Sequence, residues 1–335
     1  MPSLAISCAN PLQHASAIKE LFVAHERPEF PEFFDRAYPS AVRGGGKSWI
    51  GMDETQRVVM HIGLFPQRFV LGDQTVIGGL LVNLMAARSY RTIFPALALL
   101  RRVVADSQAA GDVDFLYGDP NARAAGVLKA VGLEPVGELD RFAFPLASRH
   151  RLKDLAIRAY QRLMYMRSGD ERLDAVAHAA AQFDVASLER PMGKTPSLRP
   201  FRPAELYRRR LAGYPSTTDH WFTFHWAGDE ASPWAAALVR ELPDGVAHLV
   251  SLTRAPSVQL GSVVPALATW LRRRGAERLW CSALVGTSLA RELSRAGFVS
   301  RHEPAPLVAR ALTDRGAAAL RAVGSWEITD LDCDR

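Results

Sequence analysis

Three groups of residues have types and spacings that can do chemistry. His61 lies in the strand-like run Val58–Leu64. A strand histidine beside a ligand cleft can act as a general base, because its unperturbed pKa is close to neutrality; a half-exposed strand histidine with no role is the plainer reading. Tyr117 and Asp119 end a second strand-like run. Ligands collect at such strand ends in open α/β sheets, although Gly118-Asp119-Pro120-Asn121 is also a good turn without any function. The third group is the stretch Leu81 to Ala98, LVNLMAARSYRTIFPALA, an apolar run that breaks at an Arg-rich turn and restarts as an apolar helix opening near Pro95. A strand that turns directly into a helix aims unpaired N–H groups at one point. With the helix dipole behind them, those groups favour an anion such as a phosphate. An ordinary strand–helix connection is the alternative.

Other clusters point elsewhere. Alternation in Asp219–Trp226 puts Trp221, Thr223 and His225 on one face of a strand and His220, Phe222, Phe224 and Trp226 on the other. A sugar or peptide could stack there, and a packed core strand explains the pattern as well. Asp330, Asp332 and Asp334 fall on one side of an extended tail, where they read as a solvated acidic end or a cation site. Ala41-Val42-Arg43-Gly44-Gly45-Gly46-Lys47-Ser48 nearly spells a nucleotide-binding P-loop. That loop needs a strand before it and a helix after it; here a helical stretch precedes it and the strand-like SWIGM follows.

The chain that must position these residues has 335 of them, enough for two domains. With 48% hydrophobic and 23% charged residues it has globular composition. No apolar run is long enough to cross a bilayer, and the first residues lack the pattern of a signal peptide. The 3 cysteines are far apart, which gives neither a disulfide framework nor a zinc pattern and fits a reducing cytoplasm. The net charge of +6 is carried mostly by arginine, whose planar fork suits phosphate and carboxylate. No nucleic-acid-binding signature accompanies it.

The order of elements is strand, helices, a three-strand meander, helix, strand, helix, strand. The strands read at Leu4–Ala9, Ser48–Met52, Val58–Val70, Thr75–Ala86, Val113–Tyr117 and Arg141–Leu146. Residues 149–183 read as a basic helix with one apolar stripe at Leu152, Leu155, Ala156, Tyr160, Leu163 and Met164, suited to a linker packed across a domain junction or to a membrane surface. From Ser197 the first order returns, with a helix expected over Phe201–Leu211. The letters repeat too: Pro95-Ala96-Leu97-Ala98 recurs as Pro265-Ala266-Leu267-Ala268, and Leu128–Leu133 pairs with Leu293–Phe298 at nearly the same offset. The fold class expected is α/β (an α+β mixed sheet) in two tandem domains, 1–148 and 195–312, with a helical linker over 149–194 and a tail over 313–335.

The meander ending in VNLMAARSYR, the Arg-x-x-x-x-Ala turn and YGDPNARAAGVLKAVGLEPVG together resemble the Gcn5-related N-acetyltransferases (GNAT), in their tandem bacterial form. The resemblance implies two tandem GNAT-like domains and an acyl (acetyl) transfer from acetyl-CoA or another acyl-CoA to an amine, without a metal. It implies that Leu84, Met85 and Ala86 hold the pantetheine arm through their main chain. Arg91, Thr92, Ile93, Phe94, Pro95 and Ala96 would form the diphosphate turn, and Asn121 would face the cofactor. His61, Tyr117 and Asp119 become the candidates for proton transfer. The acceptor implied is a small amine, an amino sugar or a cell-envelope intermediate; an acyl carrier protein as donor, or a non-catalytic binding protein of the same fold, are the alternatives. Two positions depart from the family. Phe94 replaces the first glycine of the turn, and Leu128 and Leu293 stand where the family places a tyrosine acid. The decisive question is whether the Phe94 ring fills the cleft.

Overall fold

The computed structural model describes residues 4–25, 27–148, 150–167, 173–179, 198–200, 218–226, 234–242, 244–255 and 257–329. Asp330, Asp332 and Asp334 and the helix expected over 201–211 lie outside them.

The chain begins with β1 (Ala5–Ala9), α1 (Ala15–Val23) and α2 (Phe30–Arg43). α2 runs through Pro39, because Phe34, Ala37, Tyr38 and Ala41 all bury on one side. Then come β2 (Lys47–Met52), β3 (Val58–Leu71), β4 (Gln74–Ala86), α3 (Ile93–Ala110), β5 (Phe115–Gly118), α4 (Ala122–Ala130) and β6 (Glu134–Pro145). The glycine-rich Gly44-Gly45-Gly46 ends α2 and leads into β2, as its rejection as a P-loop requires. α5 spans Arg151–Arg167. The helical reading of 149–183 fails beyond it: Leu173–Ala179 is β7, an edge strand beside a strand of the second half. Its alanines suit a helix, and tertiary pairing overrides that preference. The rest is β8 (Leu198–Pro200), β9 (Thr218–Trp226), β10 (Ala235–Glu241), β11 (Val246–Arg254), α6 (Leu260–Arg273), β12 (Arg278–Leu284), α7 (Ser288–Arg295), β13 (Val299–Ser300), β14 (Ala305–Ala311) and α8 (Asp314–Arg321).

One mixed sheet runs β1-β2-β3-β4-β5-β14-β6-β12-β11-β10-β9-β7, with β13 beside β6 and β8 beside β3. It contains the same series twice. β1-β2-β3-β4-β5-β14-β6 and β7-β9-β10-β11-β12-β6-β13 share one pattern, in which only the β4–β5 and β11–β12 contacts are parallel. On that pairing the second series starts at Leu173, inside the stretch expected to be linker.

The two series exchange a strand. β14, from the end of the chain, inserts between β5 and β6. The far half of β6, Leu139 to Pro145, lies along β12, and its Phe142 and Ala143 pair with β13. The strand expected over Arg141–Leu146 lacked Glu134–Asp140, most of which lies along β14.

Both faces are covered. α1 and α2 pack Ile18, Phe22, Phe34 and Tyr38 against Phe65, Phe69, Phe115 and Tyr117. α3 and α4 pack Leu99, Leu100, Val103 and Leu128 on the opposite face, against Ile62, Leu64 and Leu116. In the second half α6 and α7 cover Phe222, Phe224, Leu249 and Leu279.

Candidate active site: two slots with one ancestry of form

The central feature is a bulge in β4. Pairing of β3 with β4 slips between His61 and Gly63, and Asn83 takes a left-handed φ of 56°. An asparagine tolerates that conformation better than a branched residue would. Three side chains hold the bulge from within. The Asn83 carbonyl accepts the His61 Nδ1–H at 3.1 Å, and Asn83 Nδ2 donates to the Tyr38 hydroxyl at 3.2 Å. Because that carbonyl can only accept, the His61 proton sits on Nδ1, and Nε2 is left to accept from the Ser48 hydroxyl at 3.1 Å.

Beyond the bulge β4 parts from β5. Their parallel pairing covers only Gly78–Leu80 against Phe115–Tyr117, whereas β4 continues to Ala86. The side chains of Leu84 and Ala86 pack against one core layer and Met85 against the other, so an edge of main chain faces the slot. Arg91 turns back on this edge: its Nε donates to the Ala86 carbonyl at 3.0 Å, and its guanidinium lies 3.8 Å from the Met85 sulfur. Thr92 is the N-cap of α3, extended and without a side-chain hydrogen bond to the helix. The N–H groups of Ile93, Phe94 and Ala96 therefore carry the positive end of an 18-residue helix with no side-chain cap. Pro95 contributes no donor. Phe94 is 60% exposed and Ile93 52%, so the phenyl ring stands in solvent and does not fill the slot. The helix starts two residues before the proline expected to open it.

The catalytic candidates fare differently. His61 is fully buried, both ring nitrogens are occupied, and burial lowers its pKa to about 4. It cannot reach a substrate, and its reading as a base is corrected: it supports the bulge. Tyr117 is likewise buried, against Phe69 and Phe115, and takes no place at the mouth. Asp119 is half-buried where β5 ends. Asn121 is the N-cap of α4, its Oδ1 accepting from Arg123 N and Ala124 N at 3.1 and 3.0 Å, which commits that oxygen to the helix. Sequence reasoning missed Ser48 and Asn83, which the register of three strands brings to His61, and Tyr38, which α2 lays against Asn83.

The second half repeats the geometry and closes it. β11 pairs with β12 over three residues, Val246–His248, and carries an extra residue, Val250, opposite the step from Leu238 to Val239. The Val250 carbonyl accepts the Thr329 hydroxyl at 3.1 Å. Arg254, the last residue of β11, donates to the Val258 carbonyl at 2.5 Å and pairs with Glu292 of α7 at 2.7 Å. That ion pair ties the end of β11 to the helix following β12, across the mouth between the two strands. Val258, Leu260, Val263 and Val264 are all buried, so the turn equivalent to Arg91–Ala96 points inward. The tail that brings Thr329 here is anchored by Trp326, fully buried beside Phe115 and Phe69 of the first half, with Nε1 donating to the Ala319 carbonyl at 3.0 Å. The signal was present as Trp326-x-Ile328, an apolar alternation ahead of the acidic residues. The Asp219–Trp226 cluster is a packed strand: Phe222 and Phe224 bury in the second core, and on the other face Trp221 and Thr223 are buried as well.

A bulged strand splayed from its parallel neighbour, a helix starting at the open end, and the whole series present twice define the tandem GNAT fold. The chain superposes on a GCN5-related N-acetyltransferase from Anabaena variabilis with a TM-score of 0.65, at 13% identity over 94% of this chain and 74% of that one. A probable N-acyltransferase from Enterococcus faecalis gives 0.67, at 12% identity over the same shares, 94% and 74%. A tandem GNAT protein from the clavulanic acid biosynthesis pathway gives 0.55, at 10% identity over 92% of this chain and 99% of that one. No protein-family model matches the sequence, and no curated protein matches it. The kinship is therefore one of fold.

Proposed function

We propose that the chain transfers an acyl group from an acyl-CoA thioester to an amine, and that the slot of the first half is where it does so. The observation that carries this reading is the exposed, uncapped start of α3 facing the unpaired edge of β4. The residues fit the donor: Ile93, Phe94 and Ala96 offer N–H groups to a diphosphate, with Arg91 and Thr92 beside them. Of Leu84, Met85 and Ala86, the first and last would offer main-chain groups to the amide-bearing pantetheine arm, while Met85 pairs with His61 of β3 and Arg91 holds the Ala86 carbonyl. Acyl-CoA would supply the activated thioester.

The amine must lose a proton as it attacks. Of the expected groups Asp119, half-buried where β5 ends, is the proposed acceptor of that proton. Asn121 holds α4 in place. Attack is direct, since no activated cysteine or serine adjoins the slot among the described residues. The acceptor class proposed is an amino sugar or a cell-envelope amine, reached from the cytoplasm. The second half, with its slot closed, serves to complete the sheet of the first through β14.

Calorimetry with CoA and acetyl-CoA, followed by thiol release with a panel of amines, tests the proposal. One donor bound per chain, weakened in Arg91→Ala, supports it. Absence of CoA binding overturns it, and salt-sensitive binding of an acyl carrier protein would then identify a different donor. Binding without turnover on any amine favours a non-catalytic role.

A further inference from the structure

α5 carries apolar residues on two opposite faces, and among the described residues only one of them is packed against the fold. Its inner face is fixed to the fold. Gln161 and Met164 are buried, and Gln161 Nε2 donates to the carbonyls of Pro145 and Leu146 at 2.7 and 3.2 Å. Arg272 donates to Gln161 Oε1 at 2.9 Å, and the Tyr160 hydroxyl donates to the Gly297 carbonyl at 2.8 Å. These contacts hold the helix by the side of Ile157, Gln161 and Met164 and leave the opposite side outward.

That outward side is apolar. Leu152 is 82% exposed, Leu155 63% and Leu163 44%. With the exposed Ala156 and Ala159 they recur at helical spacing and form a stripe roughly 100° wide. The stripe expected from the sequence, for a domain junction or a membrane surface, is split by the structure: Leu152, Leu155 and Leu163 turn to solvent, whereas Tyr160 and Met164 turn to the fold. Cations flank them: Arg151, Lys153, Arg158 and Arg162 are all exposed. Asp154 is the only acid on the helix, and it pairs with Arg158 at 2.8 Å. Among the described residues Arg151, Lys153 and Arg162 form no ion pair.

We infer that α5 seats the protein on a membrane surface bearing anionic headgroups, its leucine stripe entering the headgroup boundary and its flanking cations meeting phosphate. An apolar stripe bordered by cations is the pattern of helices that lie in the plane of such an interface. A second copy of the chain fits the stripe worse, because packing two such helices stripe to stripe would bring cations of one copy beside cations of the other. The inference does not depend on the acyl-transfer reading.

Vesicle flotation tests it, with phosphatidylcholine alone and with phosphatidylcholine containing phosphatidylglycerol. The full chain should float with the anionic vesicles and not with the neutral ones, and added salt should release it. Leu155→Glu with Leu163→Glu, and separately Arg151→Gln with Arg162→Gln, should each weaken binding at least tenfold. The four side chains are exposed, and thermal melts of both variants matching the parent would exclude misfolding as the cause. No flotation with anionic vesicles overturns the inference, as does flotation unchanged by the leucine pair. A lipid-free dimer in sedimentation that the leucine pair abolishes would overturn it in favour of self-association.

Discussion

The two slots of this molecule share strand order, sense of pairing and a bulge at the matching place, yet they are filled in opposite ways. In the first half the bulge is braced from the interior by His61, Ser48 and Tyr38, and among the described residues no side chain caps its outer side. In the second the bulge carbonyl takes a hydroxyl from the tail, the strand end is tied to α7, and the turn before α6 is apolar and buried. Repeating a fold reproduces the geometry that can make a site. Whether the site exists is decided by a few side chains that either stand behind the backbone or cover it.

The largest expected effect follows from the tail that makes the second slot what it is. Trp326 is fully buried among first-half aromatics, so Trp326→Ala should cost about 3–5 kcal/mol. Urea denaturation measures it. Thr329→Val removes the hydroxyl that donates to Val250 and should cost about 1 kcal/mol. If the two changes cost the same, the tail is not anchored in the first half as described.

Next comes the brace behind the first bulge. His61 is neutral and its pKa is lowered to about 4 by burial. The unfolded chain binds that proton near pH 6.5 and the native chain does not, so stability falls as pH drops below 6.5 and the loss is complete near 4. A shift of that size is worth about 3 kcal/mol. Burial also lowers His178 and His220, which adds smaller losses of the same sign. Denaturation curves at pH 7 and pH 4.5 should show the loss, and His61→Gln should flatten it. A slope unchanged in that variant would place the titration in the second half instead.

A smaller effect is expected at the mouth. Arg91 is exposed and holds the Ala86 carbonyl, so Arg91→Ala should weaken acetyl-CoA about tenfold, near 1.4 kcal/mol, with little change in folding stability.

Much of this was legible in the letters. The strands of the meander, the glycine ends of α4 and α7, at Gly132 and Gly297 with φ of 82° and 94°, and the repeat itself follow from local chemistry. So does the turn at Arg91, where the phenyl ring of Phe94 could be seen to matter though not to point outward. What was hidden is non-local. The part of β6 before Arg141 is polar enough to read as loop, and becomes a strand because β14 arrives from the far end of the chain. His61 looks like a base until Ser48 and Asn83 are brought to it by strand register. Arg254 and Glu292 carry no motif at all; only the parting of β11 from β12 gives their ion pair a meaning.

That ion pair offers the finest test of the comparison. Glu292→Gln removes the charge that ties β11 to α7, from a pair whose side chains are 16% and 30% exposed. Partial exposure screens the pair, so the loss of stability should stay within about 1 kcal/mol. If the pair alone closed the second slot, its removal would open a second donor site. The structure argues that it does not, because Val258 and Leu260 remain buried behind it and Thr329 still occupies the bulge carbonyl. Calorimetric titration of Glu292→Gln with acetyl-CoA should therefore show the same number of sites as the parent chain. Two sites per chain would mean that a single charged side chain separates the open half from the closed one. The buried turn before α6 would then be a consequence of closure and not its cause.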